Sequence, residues 1–321
     1  NTANTADDVH SLAVSVTGLT GRGALLASLS PAMQNYWHDS LGSLTRRTGV
    51  AEPQELGVPT AWVRGFTSDG EVNPELSSGF GSGSTADFDQ KLSGTEFGID
   101  VGVTETLRFG LMVSKGDSTL RIADVGSAEI DVDNVGVYAT WLGSSGFYVD
   151  ATYRQMEFET RLRSGSYDDR PDASADGFSL EAGYAWKLDG GLVLKPELLY
   201  SQVKVDSLDT ISNSYGEFGL ADGDSSRLRA GLTMNKTYGD KGKHWTPYAG
   251  LFYLTEMDGK NTFDVNGDFQ GDVDMNGNSF IGELGVTGQF GKWVLSGGVN
   301  YQDGGAFNGV LGGQLAIRYA F

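Results

Sequence analysis

The sequence predicts an all-β protein, an antiparallel transmembrane barrel of about twelve strands preceded by one α-helix that threads the pore. Three observations carry this prediction. From Thr60 onward, apolar residues recur at every second position, the period of a β-strand. Several of these segments run past about ten residues, as a tilted membrane span requires, whereas soluble strands average about five or six. Tight turns and longer polar connections alternate between them.

Composition is compatible with this fold and removes others. The chain has 321 residues with 47 Gly, 7 Pro and no Cys. Without cysteine there are no disulfides, thiolate metal sites or cysteine nucleophiles. A net charge of −19 argues against nucleic acid, which needs a basic stripe. Mean hydropathy is −0.25 and no long apolar run occurs, so neither a transmembrane helix nor a signal peptide is expected. A barrel escapes that test because only alternate residues face lipid. The missing signal peptide suggests a piece of a longer exported chain.

In chain order, residues 1–28 read as a polar linker or the end of an upstream segment, 29–59 as the pore helix with its connector, and 60–321 as the barrel. The helix is expected over 30–47. Ser30 can cap it and Pro31 suits its first turn. Met33, Trp37, Leu41 and Leu44 recur at helical spacing, Arg46 and Arg47 complement the helix dipole in the last turn, and Gly49 can close the end. Residues 50–59 carry two prolines and predict a loop.

Strand one covers about 60–68. Strand two carries Phe97, Ile99, Val101 and Val103 on one face against Glu96, Asp100 and Thr104 on the other. Strands three and four present Leu107, Phe109, Leu111, Val113 and then Val135, Val137, Ala139, Trp141. Strand five sets Phe147, Val149, Ala151 and Tyr153 against Asp150, Thr152 and Arg154. Strand six sets Phe178, Leu180, Ala182, Tyr184 and Trp186 against Ser179, Glu181 and Lys187. Strand seven carries Leu192, Leu194, Leu198 and Tyr200, and strand eight Leu228, Ala230, Leu232 and Met234 against Arg227, Arg229 and Asn235. Strand nine, from about Trp245 to Leu254, alternates less cleanly. Strands ten and eleven carry Phe280, Leu284, Val286, Phe290 and Trp293, Leu295, Val299, Tyr301.

Tight turns fall at 104–106, 143–146, 189–191 and Gly291, with 238–243 slightly longer. Longer connections are expected at 69–87, 121–128, 163–175, 206–224, 258–277 and 303–308. An even strand count puts both chain ends on one side, and the short turns mark that side as the periplasm. Trp62, Trp141, Phe147, Trp186, Trp245, Trp293, Tyr319 and Phe321 lie near the turns, as an interfacial girdle would. The faces opposite lipid place Arg64, Glu96, Asp100, Arg108, Asp150, Arg154, Glu181, Glu197, Arg227, Arg229, Glu283 and Arg318 in the lumen. A helix is about 10–12 Å across with its side chains, roughly the bore of such a barrel. Arg46 and Arg47 would then meet lumenal carboxylates.

The last strand, Gln314 to Phe321, alternates throughout, with Leu315, Ile317, Tyr319 and Phe321 on its apolar face. This ending resembles the C-terminal assembly signal of bacterial outer-membrane barrels. Leu26-Ala-Ser-Leu29-Ser30-Pro31, a helix, Trp62-Val63-Arg64-Gly65-Phe66, about eleven further strands and a terminal Tyr-Ala-Phe together resemble the translocator domain of classical monomeric autotransporters (type V secretion) over residues 25–321. The resemblance implies an outer-membrane barrel with a helix in the pore, and a part in moving an N-terminal passenger to the cell surface. Its implied partners are the lipid bilayer with its lipopolysaccharide, the chain's own passenger and the barrel-assembly machinery, with one chain per barrel. Some members cut their passenger off inside the barrel at an Asn-Asn pair. Here Asn35 is followed by Tyr36, so no such cleavage is expected.

Other chemistry is weak in the sequence, and no enzyme activity, cofactor or metal is expected. His10, His38 and His244 are scattered. Gly116-Asp117-Ser118 and Gly223-Asp224-Ser225 look like an esterase nucleophile motif, but neither has a downstream Asp-x-x-His. The acidic stretch Asp264 to Asp274 lacks the Gly and Glu of a calcium loop. Gly79 to Gly83 precedes no amphipathic helix that could cradle phosphate. The competing readings are a porin, a barrel enzyme such as a protease or phospholipase, and a soluble β adhesin.

Overall fold

The protein is described from a computed structural model, covering residues 14, 15, 18–48, 56–78, 86–208, 210–213, 216–267 and 269–321. Most of the expected 1–28 linker and 50–59 connector, His10 and the 79–83 glycines lie outside the described residues.

Twelve strands make the wall: β1 (Pro59–Val72), β2 (Phe88–Gly102), β3 (Leu107–Ile122), β4 (Gly126–Leu142), β5 (Phe147–Ser164), β6 (Ala173–Tyr184), β7 (Leu192–Val205), β8 (Gly223–Lys236), β9 (Lys243–Asp258), β10 (Gly277–Phe290), β11 (Trp293–Gly304) and β12 (Phe307–Ala320). Each pairs antiparallel with its neighbours. β12 closes on β1, with Leu315 opposite Gly65 and Ala320 opposite Thr60. A closed sheet leaves no unpaired edge, which is the condition for a sheet to sit in lipid.

The side chains are distributed inside-out relative to a soluble fold. Phe97 is 56% exposed and Leu284 61%, whereas Glu96 on the neighbouring inward position of β2 is fully buried. The longest strands add a feature that simple alternation does not anticipate. On β5 the outward residues are Phe147, Val149, Ala151 and Tyr153, then Gln155, Glu157, Glu159, Arg161 and Arg163. Its inward residues run the other way, from Asp150 and Arg154 to Met156, Phe158 and Leu162. β4 changes at the same level, between Asp133 and Val135. The phase inversion marks where the wall leaves lipid for water: above it, apolar residues gain by facing inward.

The connections differ from expectation on the loop side. β3 continues to Ile122 and β4 starts at Gly126, so the expected 121–128 loop is only residues 123–125, with Asp124 in the left-handed conformation (φ 60°). The 303–308 loop likewise shrinks to 305–306. Three of the longer loops instead supply short strands, Glu75–Ser78, Ile211–Asn213, Gly216–Leu220, Lys260–Val265 and Phe269–Asp274, which form a second, five-stranded sheet at that end.

The helix is also broken and starts earlier than the sequence suggested. It comprises α1 (Gly21–Ala27), α2 (Leu29–Leu41) and α3 (Leu44–Thr48). Thr20, not Ser30, caps the start, its Oγ1 accepting from Gly23 N at 3.1 Å. Gly42 ends α2 with φ 59°. Residues 21–28 showed no helical period because they have no solvent face: Leu25, Leu26, Ala27 and Leu29 are all fully buried. They pack among Phe88, Leu120, Ile130 and Phe158 of the wall and Phe218 and Phe263 of the small sheet. The apolar core therefore fills the loop end of the lumen, and the charged groups fill the turn end.

Candidate functional site: the helix seat in the lumen

α2 and α3 run down the lumen toward the turn side, where β1 begins. Every charged residue expected in the lumen is buried. The arrangement they make is specific. Glu96 lies between Arg64 (2.7 Å) and Arg154 (2.8 Å). Arg64 also donates to the Ser40 carbonyl, and Arg154 Nη1 donates to Ser40 Oγ at 3.2 Å. Two cations thus meet the last carbonyls of α2, at the negative end of its dipole.

The next turn is held by carboxylates. Leu44 N donates to Glu181 Oε2 at 2.8 Å, satisfying a free N–H at the start of α3. Arg47 Nη2 contacts both oxygens of Asp150 at 2.7 Å, and Nη1 donates to Thr152 Oγ1 at 3.0 Å. The side chain of Arg46, the other expected contact, lies outside the described residues. Truncating Asp150 to alanine would leave Arg47 buried without its counter-ion. A loss of about 3–5 kcal/mol is expected, read as lowered resistance of the folded barrel to heat in detergent; an Arg47→Met, Asp150→Leu double variant should recover most of it.

Higher up, α2 is tied by polar contacts whose wall partners, apart from Arg227, are not among the expected lumenal residues. Asn35 Oδ1 accepts from Arg227 Nη2 at 2.6 Å, and its Nδ2 donates to Gln90 at 3.1 Å. His38 has a ring nitrogen 3.0 Å from Ser201 Oγ and the other 2.8 Å from Ser225 Oγ. Ser30 and Gln34 reach Asn261 at 2.9 and 2.8 Å. These partners are inward-facing polar residues on strands whose inward face is otherwise mixed, so only proximity to the helix distinguishes them.

The remaining lumenal ions pair within the wall. Asp100 takes Arg108 at 2.9 Å and the Tyr138 hydroxyl at 2.7 Å. Arg227 meets Glu256 at 2.5 Å, Arg229 meets Glu283 at 3.0 Å, and Glu197 meets Lys195 at 2.6 Å. Arg318 is buried on β12.

Other expectations resolve as follows. Trp62 is not in the girdle; it shares the parity of Arg64, is buried, and donates from Nε1 to Tyr138 at 2.7 Å. Trp141, Phe147, Trp186, Trp245, Trp293 and Phe321 are exposed around the turn end, and Tyr319 packs on Trp293 with ring centroids 4.6 Å apart. Leu315, Ile317 and Phe321 point outward. Ser225 of the esterase-like motif does touch His38, but the ring's second nitrogen faces Ser201 rather than a carboxylate. Ser118 of the other motif bonds Gln90 at 3.0 Å. In the acidic stretch, Asp272 is taken by Lys260 at 2.7 Å. Among the described residues, no group of three His, Asp or Glu is placed to hold a metal.

A closed wall with an outward apolar belt, filled by its own N-terminal helix, defines an integral outer-membrane barrel with an occupied pore. The autotransporter beta-domain family matches residues 61–302, and the chain belongs to that family. It is 26% identical over 225 residues to the autotransporter adhesin/invasin TibA of Escherichia coli O78:H11, covering 67% of this chain and 22% of that protein. Against the pertactin autotransporter of Bordetella parapertussis the identity is 28% over 243 residues, 72% of this chain and 25% of the other. The chain thus spans about a quarter of these relatives. The fold matches the transport unit of AIDA-I from Escherichia coli with a TM-score of 0.70 at 15% identity, covering 93% of this chain and 99% of that one. The barrel is an outer-membrane translocator domain.

Proposed function

We propose that this chain anchors an N-terminal passenger in the outer membrane and supports its export to the cell surface, with α2 and α3 remaining as a plug. The carrying observation is that the helix is bound along its length. Its lower end is held by Arg64, Arg154, Glu181 and Asp150, and its upper end lies in apolar contact beneath the small sheet. The N-terminus of α1 lies on the loop side, the side on which a passenger would be displayed. The division into 1–28 linker, 29–59 helix and connector, and 60–321 barrel follows this path, with α1 extending the helical part upstream. The outward Leu315, Ile317, Tyr319 and Phe321 would be read by the barrel-assembly machinery before the belt enters lipid. Lipopolysaccharide would then meet the charged outer face above the phase inversion. One chain closes the wall, which supports a monomer.

The chain is read as non-catalytic. Both ring nitrogens of His38 are engaged by hydroxyls, and both polar ends of the Asn35 side chain are held, which leaves that amide unready to attack its own backbone. The test is single-channel conductance in a planar bilayer, comparing the chain with a version beginning at Glu52. The chain should be nearly silent and the shortened barrel should open a steady pore. Equal conductance from both would discard the plug in favour of a porin.

A further inference from the structure

Two adjacent aromatic side chains of α2 end within the barrel wall. The Tyr36 phenol points between β2 and β3, where Gly94 and Gly116 lie opposite one another. A Cβ on Gly116 would stand 2.1 Å from the Tyr36 hydroxyl and 2.3 Å from the Ser93 carbonyl oxygen; one on Gly94 would stand 2.4 Å from the Phe66 ring of β1 and 2.8 Å from the Tyr36 hydroxyl. The Trp37 indole enters a second gap, at Gly177 on β6, where a Cβ would lie 2.5 Å from Cζ2 and 2.5 Å from the Gln202 carbonyl oxygen of β7. Each gap exists because the wall residue has no side chain. Both aromatics are fully buried, and neither the Tyr36 hydroxyl nor Trp37 Nε1 has a hydrogen-bond partner. Shape, not polar bonding, accounts for their seating.

The two gaps match helix geometry. Consecutive helical residues point about 100° apart. The β2–β3 gap and the β6 gap are separated by roughly 105° around a closed wall of twelve strands. A shift of the helix by one residue, about 1.5 Å with a 100° turn, would put the larger indole where the phenol sits. The arginine tethers lower down tolerate such a shift better, because long flexible stems can follow a displaced carbonyl.

We infer that Tyr36 and Trp37 are positioning residues, and that the glycine gaps are sockets that fix the depth and rotation at which this helix plugs the pore. The inference rests on the helix being the plug. It makes the barrel selective for its own helix, because a helix without adjacent aromatics at this level would leave the sockets empty.

The test is a size exchange between helix and wall, read by planar-bilayer conductance, with folding monitored separately by heat-modifiable gel mobility. Tyr36→Ala changes no residue of the wall, so the barrel should fold, while the plugged-to-open ratio should fall about a hundredfold, the low end for deleting a buried aromatic. Gly116→Phe alone should also open the pore by displacing Tyr36. The combined Tyr36→Ala, Gly116→Phe variant should be quieter than Gly116→Phe alone, since the clash with the phenol is gone and only that with the Ser93 carbonyl remains. Tyr36→Phe, which withdraws only the hydroxyl that stands over Gly116, should open the pore less than Tyr36→Ala does. If Gly116→Phe does not fold, the Trp37→Ala and Gly177→Phe pair asks the same question at the other socket. A silent Tyr36→Ala, or a combined variant no quieter than Gly116→Phe alone, overturns the sockets. The version beginning at Glu52 separates the two failures: if it conducts while Tyr36→Ala is silent, the plug stands without sockets. If it conducts no more than the full chain, the plug reading has failed.

Discussion

Replacing Glu96 with leucine is expected to destabilise the barrel by about 3–5 kcal/mol, although leucine is the more apolar residue and the site is fully buried. Glu96 neutralises Arg64 and Arg154 at once, at 2.7 and 2.8 Å. Both guanidinium groups are themselves buried, and Arg154 Nη2 has no hydrogen-bond partner of its own. Removing the carboxylate leaves two positive charges facing each other in a dry site, and burying an unpaired ion costs more than its packing returns. The same two arginines cap Ser40, so the loss should also loosen the lower end of α2. The measurement is the temperature at which the folded form is lost in detergent. Replacing all three charges with apolar residues should recover much of the stability, because the desolvation cost disappears with the ions. If Glu96→Leu unfolds at the wild-type temperature, water reaches the arginines and the lumen is not sealed at this level.

Leu284→Arg is expected to cost about 2–4 kcal/mol, measured as urea unfolding of the barrel reconstituted in lipid vesicles. Leu284 is 61% exposed and lies midway along β10, opposite Ala249 and Val299. On a soluble protein, a substitution at such an exposed position changes stability by about 0.5 kcal/mol or less. In lipid the guanidinium must be drawn out of water or must thin the bilayer around it. Glu157→Arg, on the outward face of β5 above the phase inversion, should be nearly neutral in the same assay. Equal effects at the two positions would mean that the belt does not end between Tyr153 and Glu157.

The wall was legible because its signal is local. Two-residue alternation in strands such as β2 and β5 needs no knowledge of neighbours, and it identified Glu96, Asp100, Asp150 and Arg154 as one face. Trp62 could have been placed by the same rule, since it shares a face with Arg64; its nearness to a turn was the weaker signal. The phase inversion on β4 and β5 was equally present in the residues. It does not read as a continuing strand, because above that level the outward residues are polar and resemble a solvated loop.

The helix seat was less legible. α1 has no amphipathic period, because a segment enclosed on all sides has no polar face to reveal it. The connections at 121–128 and 303–308 are shorter than the sequence predicts because polar residues look alike in a loop and on a strand facing water.

The sequence by itself determined the strand period, the outward apolar belt, the inward ions and the presence of a helix ahead of the wall. These follow from the backbone's fixed repeat and from the solvent each face must meet. The tertiary structure alone decided which groups meet: Arg47 of the helix with Asp150, Arg64 and Arg154 with Glu96, and the Asn35 amide with Arg227. It also decided that Tyr36 and Trp37 enter glycine gaps on strands more than fifty residues away. Pairings of this kind depend on the register between a helix and a closed sheet. No local repeat encodes that register, because it exists only once the wall has closed around the helix.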